Sequence, residues 1–223
     1  PEESDNDGLW TSMYGGGELM RYAVLRDDPD ATAEEIEEAR KIADEYDGRI
    51  VYLETVRGCP YNCSYCLSST IKGIRPFEMS RVKEELKILM DKKVTLIKFV
   101  DRTFNCHHAH AMEIWKYIHE HDNGVTNFHF EITADIIDQE AIDFLKTVRK
   151  GLFQFEIGVQ STNEDTVCEI RRKMNFEKVA NLVTRVKNLG NIHQHLDLIA
   201  GLPEEDYTSF GKSFDDVFAL RPE

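Results

Sequence analysis

Apolar residues along this chain switch repeatedly between a two-residue and a helical period, and the switches mark out five strand–helix units. Short runs rich in β-branched and aromatic residues predict strands at 50–56 (IVYLETV), 94–100 (VTLIKFV), 127–133 (NFHFEIT), 152–159 (LFQFEIGV) and 193–200 (HQHLDLIA). Between them the period lengthens. Val82, Leu86, Leu89 and Met90 share one face of a helix that Ser80 is placed to cap, with Glu84 and Glu85 early in it. Ala111, Ile114, Trp115 and Ile118 repeat the pattern, as do Ile137, Ala141, Phe144, Leu145 and Val148, and then Val179, Leu182, Val183 and Val186. A short helical piece is expected near 163–170 and a last helix over 205–220. Strand followed by helix, five times over, predicts an α/β fold with a parallel sheet, curling into a partial (β/α)6 barrel. The core is expected over 49–223 and reads as truncated before its last strand. Residues 1–48, with Gly15-Gly16-Gly17 and a helical period carried by Ile36, Ala39, Ala43 and Tyr46, read as an N-terminal appendage or linker.

Composition narrows the possibilities. With 41% hydrophobic and 30% charged residues the chain has an ordinary globular make-up. No apolar run reaches the roughly eighteen residues of a membrane helix. Acids outnumber bases by 41 to 27, for a net charge of −14. Such a surface repels phosphate backbones, which argues against nucleic acid as an obligate partner. Five cysteines are present, and three of them, Cys59, Cys63 and Cys66, fall within eight residues. A disulfide framework is even and spread out, so the clustering predicts a metal in a reducing, cytoplasmic compartment.

The cysteine segment follows the first strand and reads Arg57-Gly58-Cys59-Pro60-Tyr61-Asn62-Cys63-Ser64-Tyr65-Cys66, a C-x3-C-x2-C spacing. Three thiolates on one short loop suit three irons of a [4Fe–4S] cluster and leave the fourth iron open to an exchangeable ligand. The competing reading is a structural zinc loop with a histidine as fourth ligand, although zinc loops more often join two C-x2-C pairs.

C-x3-C-x-aromatic-C at the end of a first strand, followed by repeated strand–helix units, resembles the radical S-adenosylmethionine (SAM) superfamily. The resemblance spans 49–223 and includes Val100-Asp101-Arg102-Thr103-Phe104-Asn105, Phe130-Glu131, Gly158-Val159-Gln160-Ser161, Ile170-Arg171-Arg172 and Asp197-Leu198-Ile199-Ala200-Gly201-Leu202-Pro203, in order, at strand ends. It is similar to the branch whose full-length members carry a cobalamin-binding domain, and shares patterns with anaerobic coproporphyrinogen III oxidase. The resemblance implies a [4Fe–4S] cluster on Cys59, Cys63 and Cys66 whose open iron chelates SAM. An electron from the reduced cluster then releases methionine and a 5′-deoxyadenosyl radical, which abstracts hydrogen from a substrate. Cobalamin, through a domain absent from this sequence, is a further cofactor that the branch suggests.

The resemblance also assigns cofactor-binding roles. It places Tyr65 beside the adenine, Glu131 at the ammonium, Gln160 at the ribose or amino-acid moiety, Arg172 at the methionyl carboxylate and Asp197 at the ribose hydroxyls. Arg171 stands one position off that arginine. The expected Gly-Gly-Glu stretch after the second strand is missing, and Arg102 there must turn away or pair with Asp101. Glu156 shares a strand face with Gln160 and has substrate or Lys98 as candidate partners. Consecutive helical positions face different ways, so Cys106, His107, His108 and His110 do not read as a second metal site. Cys168 reads as an ordinary buried thiol, and His193 and His195 share a strand face. The basic stretch of Lys72, Arg75, Arg81 and Lys83 predicts docking of an acidic electron donor, a flavodoxin or ferredoxin. The substrate stays open between an unreactive carbon, a porphyrinogen to be decarboxylated and, against the charge, a tRNA to be methylthiolated.

Overall fold

The computed structural model describes residues 29–38, 50–70 and 73–222. Most of the expected appendage lies outside them, apart from 29–38, where 33–38 are helical. The core carries five parallel strands, β1 (Ile50–Leu53), β4 (Leu96–Phe99), β5 (Asn127–Ile132), β6 (Phe153–Gln160) and β7 (His193–Leu198), paired in that order. Every neighbour in the sheet is the next strand of the alternation, as in a barrel that winds one way. Five strands of the expected partial barrel are thus present among the described residues. Between them run α1 (Met79–Asp91), α2 (His108–Glu120), α3 (Gln139–Leu145), α4 (Glu164–Glu169) and α5 (Phe176–Leu189), and α6 (Tyr207–Ala219) follows β7. No helix among the described residues is long and apolar enough to cross a membrane.

Strand alternation separates two environments. Along β6, Phe153, Phe155, Ile157 and Val159 are buried while Gln154, Glu156, Gly158 and Gln160 are half-buried. The first set joins Phe99, Phe128 and Phe130 from neighbouring strands and Leu86, Leu89, Trp115, Ile118 and Val183 from the helices in one apolar core. Phe130 anchors it, with its ring 4.6 Å from Phe99 and 4.4 Å from Phe104. The second set looks away from the helices and gives the sheet a polar inner face. That division leaves chemistry to one side of the sheet and stability to the other.

Three sequence expectations change. The first strand does not run unbroken into the cysteines. It ends at Leu53, and the chain re-forms as β2 (Val56–Cys59), antiparallel to β3 (Gly73–Pro76). The cause is the fully buried Asp101, just past β4. Its Oδ1 accepts from the amides of Thr55 (2.6 Å) and Val56 (2.9 Å), and its Oδ2 from the Thr55 hydroxyl (2.5 Å). These bonds take the amides that a continuing sheet ladder would have used. Helix α1 starts at Met79 with Glu78 at the N-cap, so Ser80 is in the first turn rather than capping it. Cys168 is exposed, because it falls on the outer side of the short helix α4.

Burial pushes the Asp101 carboxyl up to about 6. Its folded value therefore lies above the unfolded one of about 3.9. The stability it contributes is fully present below about pH 4 and is lost as pH rises through about 6. Asp101→Asn keeps all three contacts, since the amide oxygen accepts both backbone bonds and the NH2 donates to Thr55. We expect the variant to gain up to about 3 kcal/mol over wild type on going from pH 4 to pH 7.5. Urea midpoints at the two pH values check this, and a wild-type-to-variant difference that does not change with pH would contradict it.

Candidate cofactor-binding site

The hairpin and the carboxyl ends of β4–β7 surround one cavity. Its lining includes all eight of the residues singled out from the sequence: Cys59, Cys63, Cys66, Tyr65, Glu131, Gln160, Arg172 and Asp197. They come from five separate stretches of chain, which only the fold brings together. All three thiols are free; Cys63 is buried, whereas Cys59 and Cys66 are half-buried. The loop is tied to the far side of the cavity, where the Ser64 amide donates to the Ile170 carbonyl (2.9 Å). Ile170 is itself fully buried, so this anchor does not shift easily.

Arg172, not Arg171, enters the cavity. Arg171 adopts a left-handed backbone (φ 55°) at the end of α4, and the turn swings the next side chain back over β6. Arg172 Nη1 donates to the Tyr65 hydroxyl (3.2 Å) and Nη2 to the Gly158 carbonyl. Its Nε is buried and meets no acceptor among the described residues, which leaves the guanidinium fork with donor capacity for a carboxylate. Gln160 is also left-handed (φ 72°), where the ladder between β6 and β7 slips between Gly158 and Gln160. This backbone costs roughly 1–2 kcal/mol for a residue with a side chain, and it turns the Gln160 amide over Gly158. A Cβ at position 158 would stand 2.3 Å from Gln160 Nε2 and 3.4 Å from Arg172 Nη2. Only glycine leaves both side chains in place.

Acidic groups stand opposite. Glu131 and Asp197 are both pushed above the usual carboxylate range, first by burial and then by the nearby Glu156. Each gains most from a cationic ligand that compensates for its lost hydration. Burial likewise raises the Tyr65 hydroxyl, with Cys63 and Cys66 adding to the effect and Arg172 opposing it. Glu156 meets Lys98 Nζ at 3.0 Å, the partner that strand alternation suggested. Asp101 is committed to the hairpin rather than to Arg102, whose side chain lines the cavity.

Sequence reasoning missed several participants. Tyr61 and Thr103 line the cavity, and Thr103 Oγ1 is 3.6 Å from Cys59 Sγ. Asn105 locks the rim, its amide group bridging the Thr133 amide (2.9 Å) and carbonyl (2.8 Å). The C-x3-C loop offered a hint for Tyr61, and Thr103 and Asn105 fall in the 100–105 segment that carries the resemblance, although no role was assigned to either. His107 accepts from the His110 amide (3.3 Å) as a helix cap, while His108 approaches Asp138 and Glu140.

These residues fit a cluster with SAM on its open side. Three soft thiols share one loop, a buried guanidinium nitrogen lacks an acceptor, and a glycine cradle keeps the floor clear. Among the described residues no three His, Cys, Asp or Glu side chains are grouped so as to hold a single metal ion. A sequence profile described as the radical SAM superfamily matches residues 53–217. The chain belongs to the radical SAM superfamily. Enzymes of this superfamily use a [4Fe–4S] cluster and SAM.

Three similar proteins illustrate the range of the superfamily. TokK of Streptomyces tokunonensis, a cobalamin-dependent radical SAM methyltransferase, is 30% identical over 168 residues, covering 70% of this chain and 24% of TokK. The solved structure of the methyltransferase TsrM from Kitasatospora setae, with tryptophan substrate and a SAM analogue bound, superposes with a TM-score of 0.69 at 21% identity over 80% of this chain and 35% of TsrM. Coproporphyrinogen III oxidase from Escherichia coli gives 0.58 at 18% identity over 79% of this chain and 43% of its own. The two structures share the partial-barrel fold. The chain spans between 24% and 39% of the length of the first curated relatives it matches.

Proposed function

We propose that this chain is the catalytic core of a radical SAM enzyme, with Cys59, Cys63 and Cys66 holding the cluster and the remaining cavity residues holding SAM. The observation that carries the reading is the convergence of five sequence-distant motifs on one cavity, with the thiols at one side and complementary charges around it. With the cluster and SAM in place, the site would supply one-electron cleavage of the sulfonium and hydrogen-atom abstraction from a substrate. The chain's own work is binding and orientation. Arg172 would take the methionyl carboxylate through its fork, Glu131 the ammonium, and Asp197 and Gln160 the ribose hydroxyls. Tyr65 braces Arg172 and walls the adenine side.

Anaerobic reconstitution with iron and sulfide, followed by dithionite and SAM, tests this reading. Brown protein and slow accumulation of 5′-deoxyadenosine without substrate are expected. A colourless protein carrying stoichiometric zinc, with no 5′-deoxyadenosine, would establish the structural zinc loop instead. A second reading extends the first: methyl transfer to an unreactive carbon with cobalamin, favoured by the similarity to TokK and TsrM. A tRNA substrate fits the net charge of −14 poorly.

The reducing partner in this reading is an acidic flavodoxin or ferredoxin. Of the four basic residues expected to receive it, Arg81 pairs with Glu85 (2.7 Å) and Lys83 with Glu113 (2.6 Å), and Lys72 lies outside the described residues. Arg75, exposed on β3 beside the cysteine hairpin, is the charge to test. Arg75→Glu is expected to slow flavodoxin-driven cluster reduction several-fold at low salt, with the difference shrinking at high salt. Stopped-flow bleaching of the cluster absorbance reads the rate; salt-independent equality of the two proteins would remove this docking face.

A further inference from the structure

The polar inner face holds a side-chain cluster of which Glu131 is the member assigned to SAM. Glu131 on β5, Glu156 on β6 and His195 on β7 are register partners, so they form one row across the sheet. Lys98 and His129 are register partners on β4 and β5. Both reach the same carboxylate oxygen: Glu156 Oε2 lies 3.0 Å from Lys98 Nζ and 2.8 Å from His129 Nε2. The His129 contact is close enough for an ion pair but off the angle of a hydrogen bond. The His195 ring lies 6.2 Å from that of His129 and nearly parallel to it, at 15°. Glu156 also lines the cavity, and its second oxygen, Oε1, meets no donor among the described residues.

Stability does not call for this arrangement. Exchanging a partly buried ion cluster for apolar packing is often neutral or favourable, and the opposite face of the same strands is packed with aromatic rings. The cluster does achieve fixity. With Oε2 hydrogen-bonded by Lys98 and closed in by the His129 ring, the carboxylate is held in place and Oε1 is left as an acceptor on a cavity-lining residue. His129 and then Lys98 hold the Glu156 carboxyl ionised, down to about 2. Burial and the two neighbouring histidines push His195 below its usual value, so the flank beside it is a neutral imidazole at neutral pH.

We propose that Glu156, braced by Lys98 and His129, is the substrate-docking carboxylate of this cavity and selects substrates that present an N–H or O–H donor, neutral or cationic, over carboxylates. This inference rests on the reading that Glu131, Gln160, Arg172 and Asp197 are taken up by SAM. With Arg172 so occupied, an anionic substrate would meet the Glu156 carboxylate with only Arg102 of the cavity lining to offset it, which disfavours a polycarboxylate such as a porphyrinogen.

The test uses anaerobically reconstituted protein loaded with SAM and no reductant, so that nothing turns over. Ethanolamine and acetate serve as probes, read by saturation-transfer NMR, and SAM binding is read by equilibrium dialysis. Wild type is expected to saturate ethanolamine at least fivefold more strongly than acetate. The isosteric Glu156→Gln is expected to lose that preference at least fivefold while SAM affinity stays within threefold. Equal saturation of the two probes, or an E156Q protein that loses SAM yet keeps ethanolamine, overturns the proposal alone. A wild-type protein that takes up neither cluster nor SAM overturns the parent reading and this one with it.

Discussion

Cys63→Ala is expected to abolish 5′-deoxyadenosine formation, with the rate falling to the background of protein-free dithionite and SAM. Cys63 is the most buried of the three thiols, at 6% exposure, and it sits at the centre of the C-x3-C-x2-C loop. Neither flanking residue can substitute, since Asn62 and Ser64 carry hard oxygen and nitrogen donors that suit iron–sulfur centres poorly. Cys106 is no reserve ligand either. It lies forty residues beyond the loop, in the short turn of helix at Phe104–Cys106, and burial, then Cys59, push its thiol up to about 11, so it gives up its proton to a metal less readily than an ordinary cysteine. Iron and acid-labile sulfide per chain, measured after reconstitution, should fall in parallel. Retention of a full four-iron complement together with 5′-deoxyadenosine production would show that the loop is not the cluster ligand.

The second large effect is on SAM itself. Arg172→Met is expected to weaken SAM binding by about 3 kcal/mol, on the order of a hundredfold, while leaving iron content unchanged. Two contributions add. The fork proposed to receive the carboxylate disappears, and so does the brace that runs from Tyr65 through the guanidinium to the Gly158 carbonyl. Arg172→Lys separates them, because it restores the charge but not the planar fork, and only partial recovery is expected. Equilibrium dialysis on the reconstituted proteins provides the measurement. An affinity within threefold of wild type in the methionine variant would mean that the carboxylate lies elsewhere.

Much of this site could be read before any coordinates, for a definite reason. In a parallel sheet the inner face and the carboxyl end are both fixed by counting, so the alternation along FQFEIGVQ placed Glu156 and Gln160 together without knowledge of the packing. Glu131 and Asp197 came instead from the resemblance to the superfamily, whose motifs fall at the ends of the same strands. What escaped depended on partners far away in sequence. IVYLETV has the pattern of a continuous strand, and only a carboxylate 46 residues further on diverts it after Leu53. Arg172 was chosen over Arg171 from the register of Ile170, but the left-handed residue at 171 that turns the next side chain inward was not marked by propensity. His129 looked like any strand residue until registration beside Lys98 brought it onto Glu156. Cys168 was misplaced because a short helix offers too few apolar positions to define its inner side.

The double anchoring of the cysteine hairpin has a consequence for how the enzyme matures. One tether, from Thr55 and Val56, ends on Asp101, and the other, from Ser64, ends on Ile170. Both lie far downstream of the iron ligands, so during synthesis the metal-binding segment emerges long before the residues that give it shape. Closing such long loops costs entropy that is recovered only when the later strands dock. Iron insertion at these cysteines is therefore expected to follow the docking of the later strands rather than to precede it.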